Sequence, residues 1–250
     1  MKKLDPFSSS AFKIWKSQLA IYNEEHLEEM LSNFCKISGA RYLMVDHFRQ
    51  KIISTATSTA FILGGYSKET IDEHGLDFRS VIYEPDELLR VNEFEDAAYL
   101  LISSTPVEYR TAWVITYEST VKRIDGGRTV LNNKLTPYKL DDRGNPWITL
   151  WSILASGSEK QGNPTIMNKE TNEYYEFVDG RLVKKEPVEL SADERLILEM
   201  IIKGYTGEHI SERLGISEST LRRKKFLLYK KVNVKSMAEL VHWAHLNAVI

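Results

Sequence analysis

The chain has 250 residues, 42% hydrophobic and 27% charged, which is the balance of a globular protein long enough for two compact domains. Its 33 Lys and Arg against 35 Asp and Glu leave a formal net charge of -2, so any strongly positive field has to be local. No apolar run approaches membrane-spanning length, and the single cysteine, Cys35, cannot close an internal disulfide.

Phe12, Trp15, Leu19, Tyr22, Leu27, Met30, Leu31 and Phe34 recur at spacings of three and four, with Glu24, Glu25, Glu28 and Glu29 on the other side. That periodicity predicts an amphipathic helix within residues 1–40, packed on its own domain or on a partner subunit. Cys35 at its end reads as a small buried hydrophobe. From Arg41 the period changes. R-Y-L-M-V-D-H-F and K-I-I-S-T-A-T predict two strands joined by a turn around Arg49 and Gln50. Short helices follow, one capped by Ser67 with Gly75 past its end, and then a longer helix enters through Pro85 and runs by Leu88, Leu89, Phe94 and Leu100. Three strand-like stretches, Tyr109 to Ile124, Arg128 to Leu140 and Trp147 to Ala155, are divided by D-G-G and D-D-R-G-N turns.

Two strands, a cluster of short helices and three antiparallel strands is the order of a PAS domain, and short words agree. I-L-G-G-Y-S-K-E-T-I, V-I-Y-E-P-D-E-L, K-R-I-D-G-G-R-T-V and L-D-D-R-G-N-P-W-I-T-L-W-S-I resemble segments of that family, with Tyr83 standing where a histidine is usual. The resemblance implies an α+β PAS-like sensor or dimerisation domain over residues 41–160, an antiparallel sheet with short helices. Trp113, Tyr117, Trp147 and Trp151 lie on its strands and are the candidate lining of a ligand pocket, although strand aromatics ordinarily form core. Cys35 lies outside the helical cluster where a flavin adduct would form, and His74 is a lone histidine at a helix end, so no dedicated cofactor is expected. A small-molecule effector stays open. Residues 161–188 alternate around Asp179-Gly180 and predict a hairpin or linker before Pro187.

The last segment, residues 189–250, carries its caps in the sequence. S-A-D-E from Ser191 is a capping box, followed by Leu196, Ile197, Met200 and Ile201 at helical spacing and Gly204 at the stop. Thr206 caps a second helix with Ile210 and Leu214 on one face and Gly215 at its exit. Ile216 fills the corner, Ser217 caps a third helix with Leu221, Leu228 and Val232 inside, and S-M-A-E from Ser236 opens a fourth. Between Ser219 and Ala238 stand seven cations and no carboxylate: Arg222, Arg223, Lys224, Lys225, Lys230, Lys231 and Lys235. On an isolated helix such a run is usually a solvated face; inside a capped helix-turn-helix it points to nucleic acid.

The stretch G-Y-T-G-E-H-I-S-E-R-L-G-I-S-E-S-T-L-R-R-K-K-F-L-L-Y-K-K-V-N-V-K-S-M-A-E-L-V closely resembles the LuxR-type (GerE) DNA-binding domain, an all-α module of four helices. Departures are Lys224, where the family often has histidine, and Phe226, where relatives often carry a polar or basic side chain. The resemblance implies a recognition helix from Ser217, with Arg222 and Arg223 reading base edges and Ser217, Ser219, Thr220, Lys224, Lys225, Lys231 and Lys235 as further DNA contacts. It further implies a homodimer on double-stranded DNA, with RNA polymerase an open partner. The opening M-K-K-L-D-P-F-S-S-S lacks the apolar core of a secretion signal, so a cytoplasmic regulator with no membrane contact is expected.

No phosphate-cradling glycine loop, paired metal-spaced histidines or G-x-S-x-G elbow suggests an enzyme. A receiver domain needs an acidic pair after its first strand, and Asp46 stands alone. Trp113 and Tyr117 reproduce one fragment of an acyl-homoserine-lactone pocket without its later landmarks. The alternatives left are a regulator of acyl-lactone-like signals and a protein-interaction adaptor localised to DNA.

Overall fold

A computed structural model describes residues 23–38, 41–54, 64–156, 161–186, 188–232, 234 and 236–246. The chain divides into two compact units, Met1–Lys185 and Glu186–Ile250. In the first, the described elements are α1 (Glu24–Ser38), β1 (Arg41–Asp46), β2 (Lys51–Ile53), α2 (Lys68–His74), α3 (Phe78–Ile82), α4 (Pro85–Ser104), β3 (Trp113–Lys122), β4 (Arg128–Leu140), β5 (Pro146–Ala155), β6 (Thr165–Asn168), β7 (Tyr174–Val178) and β8 (Arg181–Lys185). In the second they are α5 (Ala192–Ile202), α6 (Gly207–Leu214), α7 (Glu218–Lys231) and α8 (Met237–Leu246). Among the described residues no helix is long and apolar enough to cross a membrane.

One sheet of eight strands, ordered β2-β1-β5-β4-β3-β6-β7-β8, organises the first unit, and every pairing in it is antiparallel. The turns are set by short polar side chains. Asp46 accepts from the backbone N–H groups of Phe48 and Arg49, which turns β1 into β2, and Asp141 accepts from those of Arg143 and Asn145 between β4 and β5. Residues 161–188, expected as a hairpin or linker, contain the hairpin, with Asp179 and Gly180 both at positive φ as a two-residue turn requires. They are not a plain linker, however: β6 pairs with β3, so the segment extends the sheet. The strand expected from Tyr109 begins at Trp113, because Val107–Ala112 forms a 3-10 turn. Arg110 holds that turn by donating to the carbonyls of Ser103, Thr105 and Gly144.

The two sheet faces bury different cores. On one, α4 presents Val91, Phe94, Ala98, Tyr99 and Ile102 to Trp113, Ile115, Tyr117, Leu135, Trp151 and Ile153. Of the apolar residues that marked this helix in the sequence, Leu88 and Phe94 pack inward and Leu89 and Leu100 are exposed. On the other face α1 lays Leu27 and Leu31 on Met44, Ile53, Ile148 and Trp147. Cys35 is buried, and the helical stripe expected from Phe12 to Tyr22 lies outside the described residues.

Candidate nucleic-acid interface

Local capping chemistry builds the second unit. Ser191 and Glu194 form a reciprocal capping box at α5, and Thr206 Oγ1 accepts from the His209 N–H at α6. Gly215 leaves α6 in the left-handed conformation, φ 63, which reverses the chain without the Cβ strain of another residue. Ile216 then donates its N–H to the Ser211 carbonyl, and Ser217 Oγ accepts the Thr220 N–H at 3.2 Å to open α7. Ser236 Oγ accepts from the Glu239 N–H at α8. Ile197, Leu198, Ile201, Ile210, Leu221, Leu228, Val232, Leu240 and Ala244 close one core, so α7 has a buried side fixed by Leu221 and Leu228.

That side sorts the expected DNA contacts. Lys224 Nζ lies 2.8 Å from Asp193 Oδ2 and Lys231 Nζ lies 2.7 Å from Glu194 Oε2, so both lysines reach toward α5. Partial burial pushes the Glu194 carboxyl up, but the Lys231 and Ser191 hydrogen bonds more than offset it and hold it below the usual carboxylate range. Opposite Leu221 and Leu228, the exposed residues Ser219, Arg222, Arg223, Phe226 and Lys230 follow at helical spacing along one outward stripe. Thr220 is exposed beside the cap, where its hydroxyl lies 2.9 Å from Ser217 Oγ. Lys225 is half-buried and lines, with Arg222, Phe226, Tyr229, Leu221, Glu218 and Gly207, a groove of about 400 Å³. Lys235 lies outside the described residues. Lys230, absent from the sequence-derived contacts, belongs to the outward stripe; its place four residues after Phe226 was the available signal.

In the first unit, Trp113, Tyr117 and Trp151 share one core, whereas Trp147 belongs to the core under α1, its indole N–H donating to Asp46. The pairing explains the separation. Consecutive Lys139 and Leu140 face Ile148 and Pro146, which leaves Trp147 as the extra residue of a β-bulge. Around Tyr117 and Trp151 runs a buried polar chain that sequence reasoning missed, its two parts joined where Asn133 Nδ2 donates to the Tyr117 carbonyl at 3.3 Å. Arg79 Nη1 lies 2.8 Å from Glu95 Oε2, and the Tyr117 hydroxyl donates to Glu95 Oε1 at 2.6 Å. The Trp151 indole N–H donates to Asn133 Oδ1, Asn133 Nδ2 to Ser119 Oγ, and Ser119 meets the Tyr83 hydroxyl at 3.2 Å. Burial first, and then the charge of Glu95, push the Tyr117 phenol well above its ordinary pKa. The signal for Glu95 was its place on the same helical stripe as Val91, Ala98 and Ile102. Among the described residues no group of three His, Cys, Asp or Glu side chains could hold a metal ion.

No curated protein sequence matches the chain. Among solved structures it is similar to the VqmA dimer of Vibrio cholerae in the absence of target DNA, with 17% identity, 88% of each chain covered and a TM-score of 0.33. The ligand-and-DNA complex of the same protein gives 14% identity over 89% of this chain and 88% of that one, TM-score 0.33. A phage VqmA–DPO complex gives 16% identity over 90% and 89%, TM-score 0.32. Residues 188–244 match the family model of bacterial regulatory proteins, luxR family, and the C-terminal unit is therefore a LuxR-type helix-turn-helix domain, the DNA-binding module of transcription regulators.

Proposed function

We propose that the chain is a sequence-specific transcription regulator in which a PAS-like domain over residues 41–160 senses a small molecule and controls the helix-turn-helix. The observation that carries the DNA half is the outward stripe of α7, where Arg222, Arg223 and Lys230 project opposite the core and no carboxylate interrupts them. A recognition helix so presented enters the major groove, Arg222 and Arg223 reading base edges and the remaining cations meeting phosphates. One module spans too few base pairs for useful specificity, so the protein acts as a homodimer on paired half-sites in the cytoplasm.

The sensor half is supported by the order of two strands, short helices and three antiparallel strands. A polar chain linking α3, α4, β3, β4 and β5 inside the core supports it further. A ligand that binds one interior arrangement more tightly by about 1–3 kcal/mol shifts operator affinity by roughly 5- to 150-fold. The test is a binding titration with the full chain and with residues 190–250 alone. Both should bind duplex DNA at low salt, and only the full chain should respond to an effector. A C-terminal segment that binds no duplex overturns this division of labour.

A further inference from the structure

Phe226 is 62% exposed in the middle of the outward stripe of α7, with Arg222 four residues before it, Arg223 three before it and Lys230 four after it. A ring so exposed is not part of the core, whose buried residues on this helix are Leu221 and Leu228. It also forms one wall of a groove in which Arg222 and Lys225 stand with Glu218, Leu221 and Tyr229, so the ring lies beside two cations. A polyanion brings its own apolar group to such a surface. Of the groups that duplex DNA displays in its major groove, the C5 methyl of thymine is the apolar one, and aromatic side chains are suited to cover it.

We propose that Phe226 is a specificity-determining residue that reads a thymine methyl group, next to the base read by Arg222. The proposal rests on the reading of α7 as the recognition helix. Four residues along a helix advance about 6 Å, and base pairs stack about 3.4 Å apart, so the thymine stands one or two steps from the position that Arg222 contacts. Arginine placed there would favour guanine; a phenyl ring cannot hydrogen-bond a base edge and selects for the methyl. The chain therefore prefers sites that pair a guanine contact with a nearby thymine.

The methyl group can be removed without touching the base-pairing edge by replacing thymine with deoxyuridine. A duplex is first selected from a random pool by the full-length chain, and each thymine in it is then replaced singly. At the thymine read by Phe226, deoxyuridine should weaken the wild-type chain about fourfold, the equivalent of about 0.8 kcal/mol for one buried methyl. Phe226→Ala should bind the thymine and deoxyuridine duplexes alike, Phe226→Leu should keep part of the difference, and Arg222→Ala should keep it while relaxing a different base. Thermal melting of each variant checks folding, which an exposed side chain does not govern. Indifference of the wild-type chain to every replacement, or full discrimination by Phe226→Ala, overturns the role of Phe226. Failure of the full chain to select any duplex overturns instead the DNA reading beneath it.

Discussion

A single carboxylate oxygen of Glu194 accepts from the Ser191 backbone N–H at 2.8 Å and from Lys231 Nζ at 2.7 Å. The first turn of α5 is thereby tied to the last turn of α7. Glu194→Ala removes half of a capping box and a partly exposed ion pair, so it should cost about 1–2 kcal/mol in denaturant unfolding. Because the carboxyl is held below its ordinary range, the contribution is present above that range and fades as pH falls through the folded value. A variant as stable as the parent at neutral pH would show the tie to be idle.

The same pairing divides the lysines of the recognition helix. Lys231 already faces Glu194, whereas Lys230 lies on the outward stripe. Lys230→Ala should therefore flatten the salt dependence of DNA binding by about one ion, and Lys231→Ala by less. Arg222→Ala should instead lower specific affinity by roughly 1–3 kcal/mol and relax one base position. Titrations on selected and random duplexes from low to moderate salt separate the three. Equal salt slopes for both lysine variants would remove the distinction.

What the sequence discloses follows how local the physics is. Ser67, Ser191, Thr206 and Ser217 are readable as caps because a cap is settled within four residues. The outward side of α7 is readable because Leu221 and Leu228 fix the helical phase. Trp147 is not, since alternation along β5 places it with Trp151 and only the pairing with β4 reveals the bulge that sends it to the other core. The addition of β6 to the edge of β3 depends likewise on a partner distant in sequence. The tie of Lys224 to Asp193 and the burial of Glu95 against Arg79 are equally nonlocal.

His47 gives the first unit a dependence on acid. Its Nε2 lies 2.8 Å from Thr149 Oγ1 and its ring meets Tyr99 edge-on at 5.5 Å. Burial lowers its pKa from 6.5 to about 4, Asp46 opposing and Arg79 assisting. A base whose folded pKa is depressed charges first in the unfolded chain. Stability is therefore whole above pH 6.5 and declines as pH falls toward 4, by up to about 3 kcal/mol from this residue. His47→Gln should flatten that part of the stability profile relative to the parent, whatever the carboxylates add in both. Parallel profiles between pH 6.5 and 4 would show that His47 is not the group responsible.

Arg79 and Glu95 face each other with side chains only 3% exposed, and their separation of 2.8 Å makes each the other's main compensation for lost water. Burial disfavours the arginine charge, and Glu95, foremost, together with Tyr117 and Tyr83 more than restores it. Glu95→Ala strands that charge in the core and should cost about 3–5 kcal/mol, against roughly 1.5–3 kcal/mol for Tyr117→Phe, which removes one charge-assisted hydrogen bond and leaves the ion pair. Replacing both partners by apolar residues, Arg79→Met with Glu95→Leu, should be milder than Glu95→Ala alone, because no buried charge is left over. Denaturant unfolding of the double variant and of Arg79→Met and Glu95→Leu alone gives the coupling directly. If the double replacement proved as damaging as the two single ones added together, the pair would be uncoupled. Then the polar chain from α3 to β5 could not serve as one element that an interior ligand repositions.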